Sequence, residues 1–422
     1  MSFLIAIDWQ SAAIWVISLA SIALVLIRPK GWPEAIWAVT GACLLFISGL
    51  ISGTDAVEAA IKGLDVYLFL IGMLVISEIA RSEGVFDWIA ARAVRASRGS
   101  RRRLFLMIYV VGVVVTVFLS NDATAVVLTP AVLAAVRAAQ VEPLPYLLIC
   151  AFIANAASFV LPISNPANLV VYGGGMPPLH QWLLSFSLPS VASIVITFLV
   201  LRRLAARDLQ GPVKVNLDNP PLSAAGKLTL YGIGFLAVIL IIASALNLDL
   251  GAPACIAGIL VAAAITARDR DTPKELAKGV AWSVLPLVAG LFVIVEALNG
   301  AGALSAAVQA LRHIGQWEPP SAAIGSGFGI AVISNLVNNL PSGLITAAAV
   351  KTAHATGPVR EAVLIGVDLG PNLSVTGSLA SILWLIAIRR EGLRVGFWDF
   401  LRYGVLVMPP ALLLSIIATL LR

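Results

Sequence analysis

Charged residues are scarce in this chain. Asp, Glu, Lys and Arg make up 12% of its 422 residues, about half the share that soluble proteins carry. Hydrophobic residues make up 59%, and the mean hydropathy is +0.97. Many apolar runs approach the ~20 residues that cross a bilayer. The composition excludes an ordinary soluble enzyme and indicates an all-α polytopic membrane protein.

Cysteine and histidine are also rare, at three residues each. Cys43, Cys150 and Cys255 stand alone in or beside apolar segments, so the sequence supports neither a disulfide framework nor a thiolate metal site. We expect no cofactor and no metal centre. The sequence lacks an HExxH motif, and residues 226–229 (Gly-Lys-Leu-Thr) lack the upstream Gly of a phosphate-binding loop and its Ser or Thr directly after the Lys. It therefore argues against a metalloprotease and against ATP hydrolysis by this chain.

Long apolar runs predict about ten membrane helices. They cover residues 10–27, 34–51, 65–80, 144–173, 186–204, 228–246, 252–267, 283–299, 359–388 and 403–421. Two further apolar stretches, 104–138 and 321–350, have polar centres. Each of their arms holds only about 14–16 residues, fewer than a full crossing needs. These two stretches predict re-entrant helical hairpins whose tips end near the middle of the membrane.

The basic residues predict the orientation. With the N-terminus outside and each hairpin returning to the side it entered from, 23 of the 28 Lys and Arg fall on one side. The positive-inside rule makes that side cytoplasmic. We therefore expect a multi-pass protein of the bacterial inner membrane with both termini on the outer side. The basic cluster at 95–103 is interpreted as an anchor for anionic lipid rather than a nucleic-acid site.

The chain also divides into two similar halves. Residues 206–226, rich in Gly and Pro, form a linker between residues 1–205 and 227–422. Each half contains five predicted membrane helices, one of them long and interrupted (144–173 or 359–388), and one hairpin. The first half starts outside and the second inside, which predicts inverted repeats. Such repeats with broken helices are typical of secondary transporters, whose sites lie at mid-membrane between the repeats.

Polar residues collect at the hairpin tips (120–124 and 334–341) and at the helix breaks (161–168 and 370–378). Eight of the twelve Asn lie in or beside these segments, and Ser120–Ser164 and Ser334–Thr376 have similar separations of 44 and 42 positions. A buried amide costs several kcal/mol unless it is paired, which favours a shared polar pocket. The alternative is that these residues only cap broken helices or join helices. The predicted substrate-binding residues are Ser120, Asn121, Asp122, Ser164, Asn165, Asn168, Ser334, Asn335, Asn338, Asn339, Asn372, Thr376 and Ser378.

Three carboxylates lie at membrane depth, where a charge costs about 2.5–3.5 kcal/mol even on the mildest scale. Asp122 lies at a hairpin tip and Asp368 just before a helix break. We predict that they carry the coupling proton; the alternative is a structural role as acceptors for helix-end amides. Glu296 is interpreted as peripheral, and Glu78 with Arg81 as an interfacial pair.

These same segments resemble the arsenical pump membrane protein family, within the larger ion transporter superfamily. The matching stretches are 121–130, 334–341 and 366–385, and a looser similarity covers nearly the whole chain. The resemblance implies two hairpins, two broken helices, and export of arsenite or antimonite driven by proton uptake. It also implies partnership with a cytoplasmic arsenite-stimulated ATPase, and we expect a homodimer.

The chemistry of the substrate agrees with these residues. Trivalent arsenic in neutral water is an uncharged trihydroxide, which matches the donors and acceptors of Asn and Ser. Neither Lys nor Arg occurs in the four polar segments, so an anion would depend on helix N-termini alone. The alternatives are a sodium/proton antiporter of the same superfamily, with Asp122, Asp368 and Asn oxygens as ligands, and, less favoured, a di- or tricarboxylate carrier. An intramembrane aspartyl protease is disfavoured because no Gly-x-Gly-Asp motif occurs.

Overall fold

The computed structural model describes residues 9–172, 175–214, 221–267, 272–355, 357–393 and 395–421. Within these ranges the chain is built of helices, without a β-strand, so the predicted all-α class is confirmed. Both chain ends and the basic residues Arg268, Arg270 and Arg394, which contributed to the predicted orientation, lie outside the described residues.

The first half begins with long apolar helices and continues into the first hairpin and the first broken helix. A π-helical turn at Thr124–Leu128 joins the two helices of the returning hairpin arm. The helices are α1 (Trp9–Ile27), α2 (Glu34–Ile47), α3 (Gly53–Lys62), α4 (Leu64–Ser82), α5 (Val85–Ala96), α6 (Arg101–Phe118), α7 (Asn121–Ala123), α8 (Thr129–Ala138), α9 (Leu144–Ala156), α10 (Pro166–Tyr172) and α11 (Leu179–Leu204).

The second half repeats this order of elements, with a single helix as its returning hairpin arm. Its helices are α12 (Ala224–Ala245), α13 (Gly251–Thr266), α14 (Thr272–Gly279), α15 (Val284–Gly300), α16 (Ala303–Ile314), α17 (Pro319–Val337), α18 (Asn339–Ala353), α19 (Gly357–Leu369), α20 (Leu379–Arg390) and α21 (Phe397–Thr419). By position in its half, α2 therefore corresponds to α13, and α4 corresponds to α15.

Several described helices are suited to a membrane by length and composition. Five are long and apolar enough to cross alone, namely α1, α11, α12, α17 and α21. Two bent pairs, α3–α4 (46°) and α15–α16 (72°), meet the same criterion together, and α2, α9 and α13 are apolar but shorter. These helices fit a multi-pass membrane protein, while the count of ten spans stays a prediction.

Four short helices, α3, α5, α14 and α16, were not predicted. Each combines apolar and polar residues within 8–12 positions. A search for long apolar runs passes over such segments, because a short amphipathic helix has no run of its own.

Both predicted hairpins are pairs of helices whose arms are bonded across the tip. In the first, the hydroxyl groups of Thr116 and Thr124 are 2.8 Å apart. In the second, those of Ser334 and Ser342 are also 2.8 Å apart. Each pair is eight residues apart with the tip midway, so the structural counterpart of Ser120 is Asn338, not Ser334 as the matched spacing in the sequence suggested.

The two halves are packed through backbone contacts at glycine. In α4, a Cβ atom on Gly72 would overlap the backbone of Ala254 in α13. In α15, a Cβ atom on Gly290 would overlap the backbone of Ala38 in α2. Small residues permit this close approach, which is how membrane helices gain packing energy without a hydrophobic effect between them. The same kind of contact therefore occurs twice, with the roles of the halves exchanged.

The loops that the charge count places inside contact one another. The Val213 amide donates to the Gly99 carbonyl at 3.0 Å, and Arg137 pairs with Glu391 at 3.1 Å. The first part of the predicted linker is therefore bonded to a turn of the first half.

We expect Gly72→Ala to destabilise the protein by about 1–3 kcal/mol, because the added methyl group must displace the backbone of Ala254. Thermal unfolding of the purified protein in detergent measures this. Gly234→Ala in α12 is the matched control, since a Cβ atom there meets nothing within 4 Å; it should leave the Tm unchanged or raise it. An equal effect of the two changes would contradict the backbone contact.

Candidate functional site

The two hairpin tips and the two helix breaks meet at one point. A cavity of about 20 Å³ lies between them, with room for about one water molecule. Its polar lining is Asn121 and Asp122 from the first tip, Asn165 from the first break, Asn339 from the second tip and Ser378 from the second break. All four polar segments of the sequence therefore contribute to a single centre, which we call the central cavity.

Four helices begin at this centre, namely α7, α10, α18 and α20. Each start is capped by a side chain that accepts a hydrogen bond from the backbone amide of the second or third residue of the helix. The pairs are Ser120 Oγ with Ala123 N (3.3 Å), Asn165 Oδ1 with Ala167 N (3.0 Å), Asn338 Oδ1 with Leu340 N (3.3 Å) and Ser378 Oγ with Ser381 N (3.1 Å).

Asp368 contacts this centre through Asn165. It is fully buried in the last turn of α19, and its Oδ1 accepts a hydrogen bond from Asn165 Nδ2 at 2.9 Å. Its Oδ2 is buried without a hydrogen-bond partner among the described residues. Because Asn165 Oδ1 already caps α10, the amide orientation is fixed, and Asn165 joins the carboxyl group to the cavity.

Asn155 holds the corresponding place in the first half, in the last turn of α9. Its Oδ1 accepts from Ser378 Oγ at 3.2 Å, and its Nδ2 donates to Asn372 Oδ1 at 3.0 Å and to Ser381 Oγ at 3.2 Å. The end of α9 therefore binds the break of the second half, as the end of α19 binds the break of the first.

Other predicted site residues use their polar atoms to bond the backbone of the breaks or of the helices beside them. Asn335 Nδ2 donates to the carbonyls of Ala331 (2.7 Å) and Gly370 (2.8 Å), and its Oδ1 accepts from Ser374 Oγ at 2.8 Å. Similar bonds to carbonyls run from Asn168 to Ser158 (2.9 Å), Asn372 to Phe152 (2.9 Å), Ser164 to Val117 (3.0 Å) and Thr376 to Asn335 (3.0 Å). For these residues, and for Ser334 in its hydroxyl pair, the described contacts are those of helix capping and helix joining.

A larger cavity, of about 370 Å³, also reaches Asp122. Ser120 and Asp122 line one part of it, and Glu78, Arg81 and Arg390 line another. The predicted pair of Glu78 and Arg81 is confirmed, with Arg81 Nε donating to Glu78 Oε2 at 2.8 Å. The cavity thus extends from Asp122 to Arg81 and Arg390, which the predicted orientation assigns to the cytoplasmic side. We call it the access cavity.

Sequence reasoning missed several contributors. It did not single out Ser381, although Ser378-x-x-Ser381 has the spacing of a helix cap and its third residue, and it missed that Arg390 lines a cavity. Glu296 pairs with Lys62 at 3.3 Å and lines neither cavity, in agreement with its peripheral interpretation.

Two solved structures share this fold. The Alcanivorax borkumensis YdaH transporter has a TM-score of 0.56 at 15% identity and covers 87% of both chains. Neisseria gonorrhoeae MtrF, described within a class of antimetabolite efflux pumps, has a TM-score of 0.51 at 14% identity and covers 87% of this chain and 82% of its own. At such identities the likeness concerns the fold alone, which is that of a membrane transporter.

Relatives found by sequence assign the chain to a particular family of membrane transporters. A family model described as citrate transporter, CitMHS, matches residues 8–367. The arsenical pump membrane protein of Escherichia coli is 30% identical over 421 residues, covering 95% of this chain and 96% of that protein. That of Yersinia enterocolitica is 28% identical over 416 residues, covering 95% and 96%. The chain belongs to the CitMHS family of membrane transporters, and its resemblance to arsenical pump membrane proteins is confirmed over nearly its whole length.

An asparagine that bonds protein partners and an asparagine that lines the central cavity should respond differently to truncation to alanine. Asn372→Ala removes one hydrogen bond to the buried Phe152 carbonyl and one from the buried Asn155 amide, so we expect a loss of about 1–3 kcal/mol in stability. Asn121→Ala should change the Tm little, because no described residue bonds its Oδ1. Thermal unfolding of both variants in the same detergent tests this, and a larger loss for Asn121→Ala would contradict the division.

Proposed function

We propose that this protein is a secondary transporter that exports arsenite and antimonite, as neutral trihydroxides, in exchange for protons. Membership of a transporter family and relatives named arsenical pump membrane proteins support this proposal. The observation that carries it is the lining of the central cavity, where the described residues include amides, a hydroxyl group and one carboxyl group but neither Lys nor Arg.

This lining suits a neutral polyhydroxy solute. Each hydroxyl group of the substrate can donate and accept, and amide and hydroxyl side chains do the same. Asn121 Oδ1, buried without a described partner, is an acceptor available to such a ligand. Citrate is disfavoured, although the family description names it, because Asp122 would repel a trianion that no basic residue of the central cavity neutralises.

The two aspartates are suited to different steps of the exchange. Asp122 lines both cavities and can exchange a proton with water in the access cavity. Asp368 is sealed from solvent, and protonation would remove the cost of a charged oxygen that has no described partner. Asn165 bonds Asp368 and lines the central cavity, so the proposed proton site and the proposed substrate site share this side chain.

We further infer that the two halves are inverted repeats and that transport proceeds by alternating access. The repeated order of helices, the two matched hydroxyl pairs at the tips and the exchanged contacts of Gly72 and Gly290 support this inference. In the proposed cycle, substrate enters from the cytoplasm through the access cavity. Movement of the hairpins and broken helices then opens the centre to the outer side, where substrate leaves and a proton binds.

Everted membrane vesicles test the function. With an acidified lumen, vesicles that contain the wild-type protein should accumulate arsenite, and Asp122→Asn and Asp368→Asn should each reduce uptake to the level of empty vesicles. Glu296→Gln is the matched control, because that acid lines neither cavity, and it should retain uptake.

The driving ion and the substrate are varied in the same assay. A sodium gradient alone should move no arsenite, and labelled citrate should not be transported. Sodium-driven flux without metalloid movement would instead support the sodium/proton antiporter, in which Asp122 and the amide oxygens ligate sodium. Full arsenite uptake by both aspartate variants would contradict the proposed proton path.

A further inference from the structure

A third cavity, of about 350 Å³, shares no lining residue with the central or access cavity. It lies where the first turn of α6 meets the end of α11, on the side that the charge count makes cytoplasmic. Its lining residues are Arg102, Leu199, Arg202, Arg203, Ala206 and Leu209. Three arginines thus converge with three aliphatic side chains, from segments about a hundred positions apart in the chain.

The arginines of this cavity have no carboxylate partner among the described residues. The neighbouring Arg101 differs, because it donates to the carbonyls of Asp208 and Pro212, both at 3.2 Å. Arg202 lies over the ring of Phe198, at 6.0 Å from its centroid. Guanidinium groups favour phosphate, which they bind through paired hydrogen bonds. The cavity therefore combines three guanidinium groups that lack a described carboxylate partner with an apolar base.

An apolar surface continues from this cavity along both helices. The helices pack together through Tyr109, whose hydroxyl group donates to the Ile194 carbonyl at 2.6 Å, and through the rings of Phe105 and Phe198. Beside this contact each helix exposes an aliphatic stripe at helical spacing. The stripes are Leu106, Val110 and Val114 on α6, and Leu188, Val191, Val195 and Leu199 on α11. Both run from the arginine end along the helix, as the acyl chains of a bound lipid would.

We propose that this cavity is a binding site for an anionic phospholipid, with its phosphate groups on Arg102, Arg202 and Arg203 and its acyl chains along the stripes of α6 and α11. Basic pockets on the cytoplasmic side of membrane helices suit such headgroups. Three guanidinium groups match a lipid with two phosphates better than one with a single phosphate. The aliphatic base and stripes favour a lipid over free inorganic phosphate.

Lipid binding to the purified full-length protein in detergent tests this. Native mass spectrometry with added cardiolipin, a two-phosphate lipid, should show binding to the wild type, and phosphatidylcholine should bind much more weakly. R102Q/R202Q/R203Q should weaken cardiolipin binding roughly tenfold or more. K227Q/K274Q/K278Q removes the same charge from exposed residues outside the cavity and should bind as the wild type does.

Two further measurements test the geometry of the guanidinium groups and distinguish a bound lipid from free phosphate. R102K/R202K/R203K keeps the charge but not the paired geometry, and binding should fall between wild type and the glutamine variant. Inorganic phosphate should not displace bound cardiolipin; displacement at equal phosphate concentration would show a free-anion site and overturn the proposal. Equal loss of cardiolipin binding in both glutamine triples would overturn the proposal, because binding would then depend on overall charge. No loss in either triple would also overturn it, because binding would then not depend on these arginines.

Discussion

A helix that breaks inside a membrane must find hydrogen-bond partners for the backbone groups it frees, because hydrocarbon offers none. The centre of this protein is organised around that requirement. Asn335 bonds a freed carbonyl at Gly370, and Asn168 bonds the carbonyls of Ser158 and Leu161. These amides hold the irregular backbone in place. The first residues of the neighbouring helices can therefore point their side chains into a small shared cavity.

The same requirement explains why only part of the polar residues remains for a ligand. Eight of the thirteen predicted residues cap helices or bond protein partners without lining the central cavity, whereas Asn121, Asp122, Asn165, Asn339 and Ser378 line it. Asn165 combines both tasks, since one end of its amide caps α10 and the other bonds Asp368. A change at this position therefore affects backbone support and cavity chemistry at once.

Much of this architecture could be predicted from the sequence, because the signals are local. The short arms on either side of 120–124 and 334–341 indicate hairpins, and Pro and Gly with Asn and Ser indicate broken helices. The contacts of a given amide are not local. Asn335 and Asn339 are four positions apart, yet one supports the break and the other lines the cavity, because the chain turns between them at Asn338, with φ of 75°.

The sequence likewise did not predict which distant helices pack against each other. Apolar runs predict that α4 and α13 exist but contain no sign that Gly72 meets Ala254, since any small residue in a membrane helix could serve a close contact. The access cavity depends on the same long-range packing, because Arg81 and Arg390 come from opposite halves. Short amphipathic helices such as α5 were missed because their hydrophobic residues are spread over one face.

The exchanged glycine contacts also bear on how the protein is made. Gly72 in α4 is synthesised long before Ala254, and Ala38 in α2 long before Gly290. The first half must therefore wait in the bilayer, after leaving the ribosome, with two close-packing surfaces covered only by lipid or by the insertion machinery. Contacts so distant in sequence form slowly, so assembly of this protein depends on the second half being inserted before the first can reach its final packing.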